Sequence, residues 1–170
     1  RGVDWVFHLA SFPRVQPSIE DPLTANDINL NGTLNVLLAA RDAEVKKFIY
    51  SASSSAYGGQ RKMPLKEIMS ANPLSPYGVQ KYVGELYCRL FSEIYGLPTV
   101  ILRYFNVYGP REILEGAYAT VIGIFRNQLV HGKPMTMVAD GDKKTRDFTH
   151  VRDVVRANIF ASESSKVGKG

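Results

Sequence analysis

The chain has 170 residues, of which 45% are hydrophobic and 22% charged, with a formal net charge of +5 and one cysteine. That composition excludes a disordered tail, a collagen-like repeat and a disulfide-stapled miniprotein. It suits a globular domain of ordinary size, and the single cysteine points to a reducing, cytoplasmic compartment. No apolar run approaches the roughly 20 residues that cross a bilayer, and no signal segment opens the chain. Lysine and arginine are scattered, and their longest clusters are pairs such as Lys46-Lys47, Arg61-Lys62 and Lys143-Lys144. Neither membrane nor nucleic acid is therefore an expected partner. A modest positive surplus suits an anionic small molecule such as a nucleotide diphosphate.

Residues 3–9 form a short apolar run, read as a buried strand. A chain that opens with Arg1 and goes straight into such a run is expected to be a piece of something longer. Asp21-Pro22 then supplies a helix N-cap with proline in the first turn. The apolar positions Ile28, Leu30, Leu34, Leu37 and Leu38 carry that helix over 22–41. A second strand is expected at 48–52, followed by a Ser/Gly-rich loop over 53–59. A second helix starts near Ser75-Pro76 and runs to about Tyr95, where Gly96 and Pro98 stop it. A third strand covers 99–104. Strands alternating with helices of this length imply βαβ units and a parallel sheet. After Gly109-Pro110 the pattern changes. A helix is expected from Ala117 to Leu129, short strands at 136–139 and near Phe148, and a last helix carrying Val151, Val154, Val155 and Ile159. The expected division is a parallel-sheet domain over 1–110 and part of a small mixed lobe over 111–170, interleaved with the sheet.

The second helix carries the most informative pattern. Val79, Val83, Leu86, Leu90 and Ile94 form one apolar stripe at about 100° per residue. Tyr77 and Lys81, four apart, share a different face. An ammonium beside a phenol favours phenolate, and a tyrosine so poised can take a proton from a substrate hydroxyl. The same spacing also describes an ordinary surface pair. The serines Ser51, Ser53, Ser54 and Ser55 leave a buried strand at its carboxyl end, where open parallel sheets bind ligands. A Ser-rich turn has the same composition. Asn106 ends the third strand and can donate and accept hydrogen bonds. Arg146 reads either as a surface ion pair with Asp147 or as a phosphate clamp. Cys88 reads as a buried small apolar residue and His8 as structural. His131 and His150 are isolated, and no metal-ligand spacing occurs.

Together the segments VFHLAS, NLNGTLNVLLAAR, FIYSASSSAYG, SPYGVQKYVGELY, LRYFNVYGPR and DGDKKTRDFTHVRDV resemble an extended short-chain dehydrogenase/reductase of the NAD-dependent epimerase/dehydratase family. They occur in the family's order and cover the chain nearly end to end. The likeness is greatest to nucleotide-sugar 4-epimerases that act on UDP-glucose and UDP-N-acetylglucosamine. It implies an α/β fold: part of a Rossmann-type doubly wound parallel sheet, with part of a small α/β substrate lobe. It implies NAD as cofactor, a UDP-sugar as substrate, and a homodimer built on the helices at 22–41 and 76–95. By position, Tyr77 is implied as the catalytic base, with Lys81 as its partner and holder of the nicotinamide ribose. Ser53 is implied to bond the sugar 4-hydroxyl, with Ser54 close by. Leu9, Ala10 and Asn29 are implied to line the cofactor pocket, Ser51 and Ala52 to pass the nicotinamide ribose, and Phe105 to lie along the nicotinamide. Asn106 and Arg146 are implied to hold the substrate diphosphate. A sugar-nucleotide 4,6-dehydratase of this family carries an Asp-Glu pair at the serine loop, where this chain has Ser54-Ser55, so that reaction is disfavoured. A decarboxylase, and an inactive interaction module, remain as alternatives.

The family's opening strand, glycine-rich turn and helix do not occur among these residues. About two βα units, on the order of 60 residues, are expected upstream. On their own the 170 residues are expected to be inactive, with the strand at 3–9 an unpaired edge.

Overall fold

A computed structural model describes residues 2–116 and 119–166. They form two compact units. One comprises the chain up to Tyr104 together with the residues from Ala157 on, and the other is Phe105–Arg156.

The first unit is built on a parallel sheet of β1 (Trp5–His8), β2 (Lys47–Ser53) and β3 (Thr99–Tyr104), in that spatial order. Its register pairs His8 with Tyr50, Ala52 with Arg103 and Ser53 with Tyr104. The carboxyl ends of the strands thus finish side by side. β2 is central and buried along nearly its whole length. β1 lies at the edge of this sheet, with Trp5 and Phe7 exposed.

Between β1 and β2 the chain forms α1 (Val15–Glu20), α2 (Pro22–Asn26), a wide π turn over Asp27–Asn31, and α3 (Gly32–Asp42). The expected cap is present: the Asp21 carboxylate accepts from the Thr24 amide at 3.1 Å, with Pro22 in the first turn. α1 and the π turn are additions to the expected single helix. The π turn inserts one wide turn around Asn29, a residue buried to 2% exposure.

α4 (Pro76–Tyr95) matches its expected bounds because both ends are encoded locally. The Ser75 hydroxyl accepts from the Gly78 amide at 3.1 Å, and Gly96 closes the helix at φ +69°, backbone that favours glycine. α4 lies directly on β2. A Cβ at Gly84 would stand 2.2 Å from the Tyr50 hydroxyl, so only glycine allows this approach. Leu37, Phe48, Tyr50, Cys88, Phe91 and Leu97 pack the core between α3, β2 and α4.

The second unit carries β4 (Asn106–Tyr108) paired in parallel with β5 (Phe148–His150), and α5 (Val121–Val130), capped by Thr120. α5 starts later than expected; positions 117 and 118 lie outside the described residues. The strand expected at 136–139 does not form. The Thr136 amide and hydroxyl both go to the side chain of Gln128, at 3.0 and 2.6 Å, instead of to a neighbouring strand. α6 (Val151–Glu163) follows β5. The residues of α6 from Ala157 on belong to the first unit. There Lys47 Nζ donates to the carbonyls of Ala161 and Ser164 at 3.0 and 2.5 Å. Residues 167–170 lie outside the described residues. Among the described residues no helix is long and apolar enough to cross a membrane.

Candidate active site

Tyr77 and Lys81 stand on the buried face of α4, together with Gln80, Gly84, Glu85 and Cys88. The apolar stripe of the same helix faces outward: Val79 and Leu90 are each 45% exposed and Ile94 66%. Tyr77 and Lys81 are thus turned in towards the strand ends, and the apolar stripe is left outside. The polar face can be buried because its groups have partners.

Lys81 is 4% exposed, and its ammonium donates to the Ser51 carbonyl at 3.0 Å. It also lies 5.3 Å from the centre of the Tyr50 ring and 5.9 Å from that of Tyr77. Burial depresses its pKa from the usual 10.5 to about 8. Tyr77 is pushed the other way. Burial raises its phenol, while a hydrogen bond with Ser53 and the charge of Arg14 pull it down. The expectation that Lys81 carries the phenol toward neutrality is therefore corrected: desolvation dominates, and the groups opposing it are Ser53 and Arg14. Ser53 suits this task. Its oxygen accepts from the Ser55 amide at 3.1 Å as it caps the short turn Ser54–Ala56, which fixes the hydroxyl at the head of that turn. The Tyr77 amide is held by the hydroxyl of the fully buried Ser18, at 3.0 Å.

The depressed pKa of Lys81 makes stability depend on pH. Between about 8 and 10.5 the unfolded chain binds a proton there that the folded chain does not, so stability rises with pH across that window. Below about pH 8 both states are protonated and the gain is absent. In the full-length protein, the melting temperature of wild type minus that of Lys81→Met is expected to climb from pH 8 to pH 10. A flat difference would contradict this account of the buried ammonium.

Ser51 and Ala52 are buried at the end of β2, and Ser54 is half-buried in the turn that follows. The Ser51 hydroxyl donates to the Tyr104 oxygen at 3.2 Å, and Tyr104 in turn meets Asn158 at 2.7–3.0 Å. Leu9 and Ala10 follow β1 and are exposed beyond its carboxyl end. Asn29 has its amide fully engaged within the protein. It donates to Gln80 at 2.7 Å and to the Phe12 carbonyl at 3.1 Å, and it accepts from Ser11 and the Phe12 amide. Its side chain thus ties the loop after β1 to the helix that carries Tyr77 and Lys81. His8 is structural in the same sense, with Nε2 2.9 Å from the Thr33 hydroxyl, and Cys88 is buried in the core.

Phe105, Asn106 and Arg146 belong to the second unit. There Asn106 pairs with Phe148, and its amide donates to the Asp147 carbonyl at 2.9 Å. Arg146 stands beside it at the same end of the two-stranded ladder, exposed, with Nη1 donating to the Thr145 carbonyl. Arg146 and Asp147 do not form the ion pair that adjacency suggested. Asn106 is thus bonded to the residue that follows Arg146 in the chain.

Sequence reasoning passed over four residues of the first unit. Glu85 and Arg103 form a buried bidentate pair, Gln80 anchors Asn29, and Arg14 acts on Tyr77. Glu85 had a signal, because it lies one helical step beyond Lys81 on the same face. Arg14 had none. Its backbone sits at φ +85°, ψ 145°, a region that favours glycine and costs other residues strain.

These features converge with a comparison against protein families: the model of the NAD dependent epimerase/dehydratase family matches residues 1–170. The chain belongs to that family. A putative UDP-glucose 4-epimerase of Methanocaldococcus jannaschii is 39% identical over 175 residues, covering 100% of this chain and 57% of that protein. Among solved structures, a UDP-N-acetylglucosamine 4-epimerase from Methanobrevibacter ruminantium superposes with a TM-score of 0.93 at 41% identity, covering 97% of this chain and 53% of its own. The UDP-glucuronic acid 4-epimerase of Bacillus cereus, solved with UDP-glucuronic acid and NAD, gives 0.87 at 36% identity, covering 98% and 52%. The chain spans about half the length of the relatives it matches. The α/β Rossmann-like fold expected from the sequence is the fold of these epimerases. The family is NAD-dependent, and the residues present fit the nicotinamide end of such a cofactor. The strands present their carboxyl ends together, and Lys81 gives one of its three protons to Ser51 and has two more for ribose hydroxyls.

Proposed function

We propose that the protein containing this chain is a nucleotide-sugar 4-epimerase acting on a UDP-hexose or UDP-N-acetylhexosamine with tightly held NAD. The observation that carries this reading is the placement of half-buried Tyr77 and buried Lys81 on the sheet-facing side of α4, with Lys81 bonded to the Ser51 carbonyl at the end of β2 and the Ser53 hydroxyl holding the phenol down. Reversible oxidation at C4, through a transient 4-keto sugar, is the chemistry a bound NAD supplies. The chain's own residues do the rest. Tyr77 Oη takes the proton of the sugar 4-hydroxyl and returns it after the sugar has turned. Ser53 orients that hydroxyl, with Ser54 close by. Lys81 holds the nicotinamide ribose beside Ser51 and Ala52, Leu9 and Ala10 border the same pocket, and Phe105 lies along the nicotinamide. Asn29 contributes by fastening the loop after β1. Asn106 and Arg146 hold the diphosphate, which suits a guanidinium fork beside an amide. Incubation of the full-length protein with UDP-glucose or UDP-N-acetylglucosamine, followed by separation of the 4-epimers, tests this reading. Absence of any 4-epimer from each of them counts against it.

A 4,6-dehydratase is disfavoured because Ser54 and Ser55 stand where that reaction needs an added acid; a decarboxylase remains the nearer alternative. For the diphosphate clamp, Arg146→Ala is expected to weaken UDP binding by about 1.5–3 kcal/mol, the scale of one lost charge-assisted bond. NAD affinity should hardly move. Titration calorimetry with UDP reads this directly, and equal affinity in both proteins would remove Arg146 from the role.

The outward stripe of α4 supports a homodimer in the full-length, cytoplasmic enzyme. Val79, Leu86, Leu90 and Ile94 are exposed along one side of the helix, a contiguous apolar surface of the kind that marks an interface. Leu86→Asp should therefore halve the mass seen by light scattering. An unchanged mass would place the interface elsewhere.

A further inference from the structure

We propose that the Glu85–Arg103 pair is a positioning device that sets where the Ser53 turn stands against the Tyr77–Lys81 face of α4. Glu85 is fully buried and lies two helical steps beyond Tyr77 and one beyond Lys81. Both its oxygens accept from Arg103, from Nε at 2.8 Å and Nη2 at 2.6 Å. The guanidinium stacks over the ring of Tyr57, its carbon 4.4 Å from the ring centre. Tyr57 closes the turn that Ser53 opens, and Arg103 is the strand neighbour of Ala52, next to Ser53. One guanidinium therefore joins three parts of the site: the helix of Tyr77 and Lys81, the end of β3, and the turn of Ser53.

Stability alone does not account for such a pair. A buried ion pair is often matched or bettered by apolar residues of similar volume. Its distinctive property is direction: a planar fork with two parallel bonds fixes the rotation and advance of α4 against β3. Gly84, adjacent to Glu85, lets the helix lie against Tyr50 at the same level, so the helix has contact but no side chain of its own there to set its register. A displacement on the order of 1 Å at such a contact costs about 10²-fold in turnover.

The test compares Arg103→Lys, and the apolar double variant Glu85→Leu/Arg103→Met, with wild type in the full-length protein. Melting reports stability. The 13C resonance of the Tyr77 ring carbon that bears the hydroxyl, assigned by its loss in Tyr77→Phe, reports the Ser53 contact without substrate. The double variant is expected to melt near wild type while its Tyr77 resonance moves to the position seen in Ser53→Ala. Arg103→Lys, the milder change, should move it the same way and is read alone if the double variant does not fold. A wild-type resonance in whichever variants fold overturns the proposal. The turnover part rests on the epimerase reading: kcat should fall about 10²-fold with KM little changed. If wild type itself shows no epimerisation, that reading fails, and the resonance still decides the positioning role.

Discussion

Tyr77→Phe in the full-length protein is expected to cut turnover by about 10²-fold or more, the scale of general-base catalysis. The substitution removes one oxygen and leaves the ring that Lys81 approaches at 5.9 Å. Binding of UDP should therefore persist while chemistry is lost. Because burial raises the phenol, wild-type turnover should increase with pH as the base form becomes populated. Ser53→Ala removes a group that holds the phenol down, so it should displace that rise to higher pH. Steady-state kinetics across pH 6–10 provide the measurement. Wild-type turnover in Tyr77→Phe would end its assignment as the base.

Residues 1–170 purified alone are expected to retain no NAD and to turn over no substrate, whereas the full-length protein retains about one NAD per chain. A dinucleotide is held at both ends. Here Lys81, Ser51 and the strand ends offer donors and acceptors for the nicotinamide side. The pyrophosphate is normally held by a glycine-rich turn and the positive end of the helix that follows it, and that motif is not among these 170 residues. Edge exposure acts in the same direction. Trp5 and Phe7 present apolar surface along β1, whose sheet partner among the described residues is β2. An edge of that kind invites association between copies. Nicotinamide release by acid and light scattering, run on both proteins, give the comparison. Stoichiometric NAD in a monodisperse 170-residue protein would show that the site needs nothing more.

Much of this organisation was legible in the chain. α4 was bounded correctly because Ser75, Pro76 and Gly96 act within a single turn of themselves. Asp21 and Pro22 marked the start of α2 for the same reason. The parallel sheet followed from the alternation of apolar runs and helical periods. Tyr77 and Lys81 were visible because four residues make one helical step. α1 was not legible, since six residues with a proline at position 17 carry little intrinsic preference; the segment is held by the buried Ser18. The strand expected at 136–139 failed because β-forming side chains do not supply a partner, and Gln128 took the Thr136 backbone first.

By itself, the sequence determined the α/β class, the family, the ends of α4 and the pairing of a phenol with an ammonium on one helix face. Each rests on near neighbours or on ordered motifs. The tertiary structure alone decided which face of α4 is buried. Periodicity separates an apolar stripe from a polar face, and the usual rule sends the stripe inward. Here the polar face went in, because Gln80 finds Asn29 across 51 residues, Lys81 finds the Ser51 carbonyl across 30, and Glu85 finds Arg103 across 18. Burying those groups without partners would be prohibitive, and with partners it is tolerated. Partners so distant in sequence leave no local trace, which is why the direction of the site, and the balance of burial against Ser53 and Arg14 that sets Tyr77, emerged only when the chain was folded.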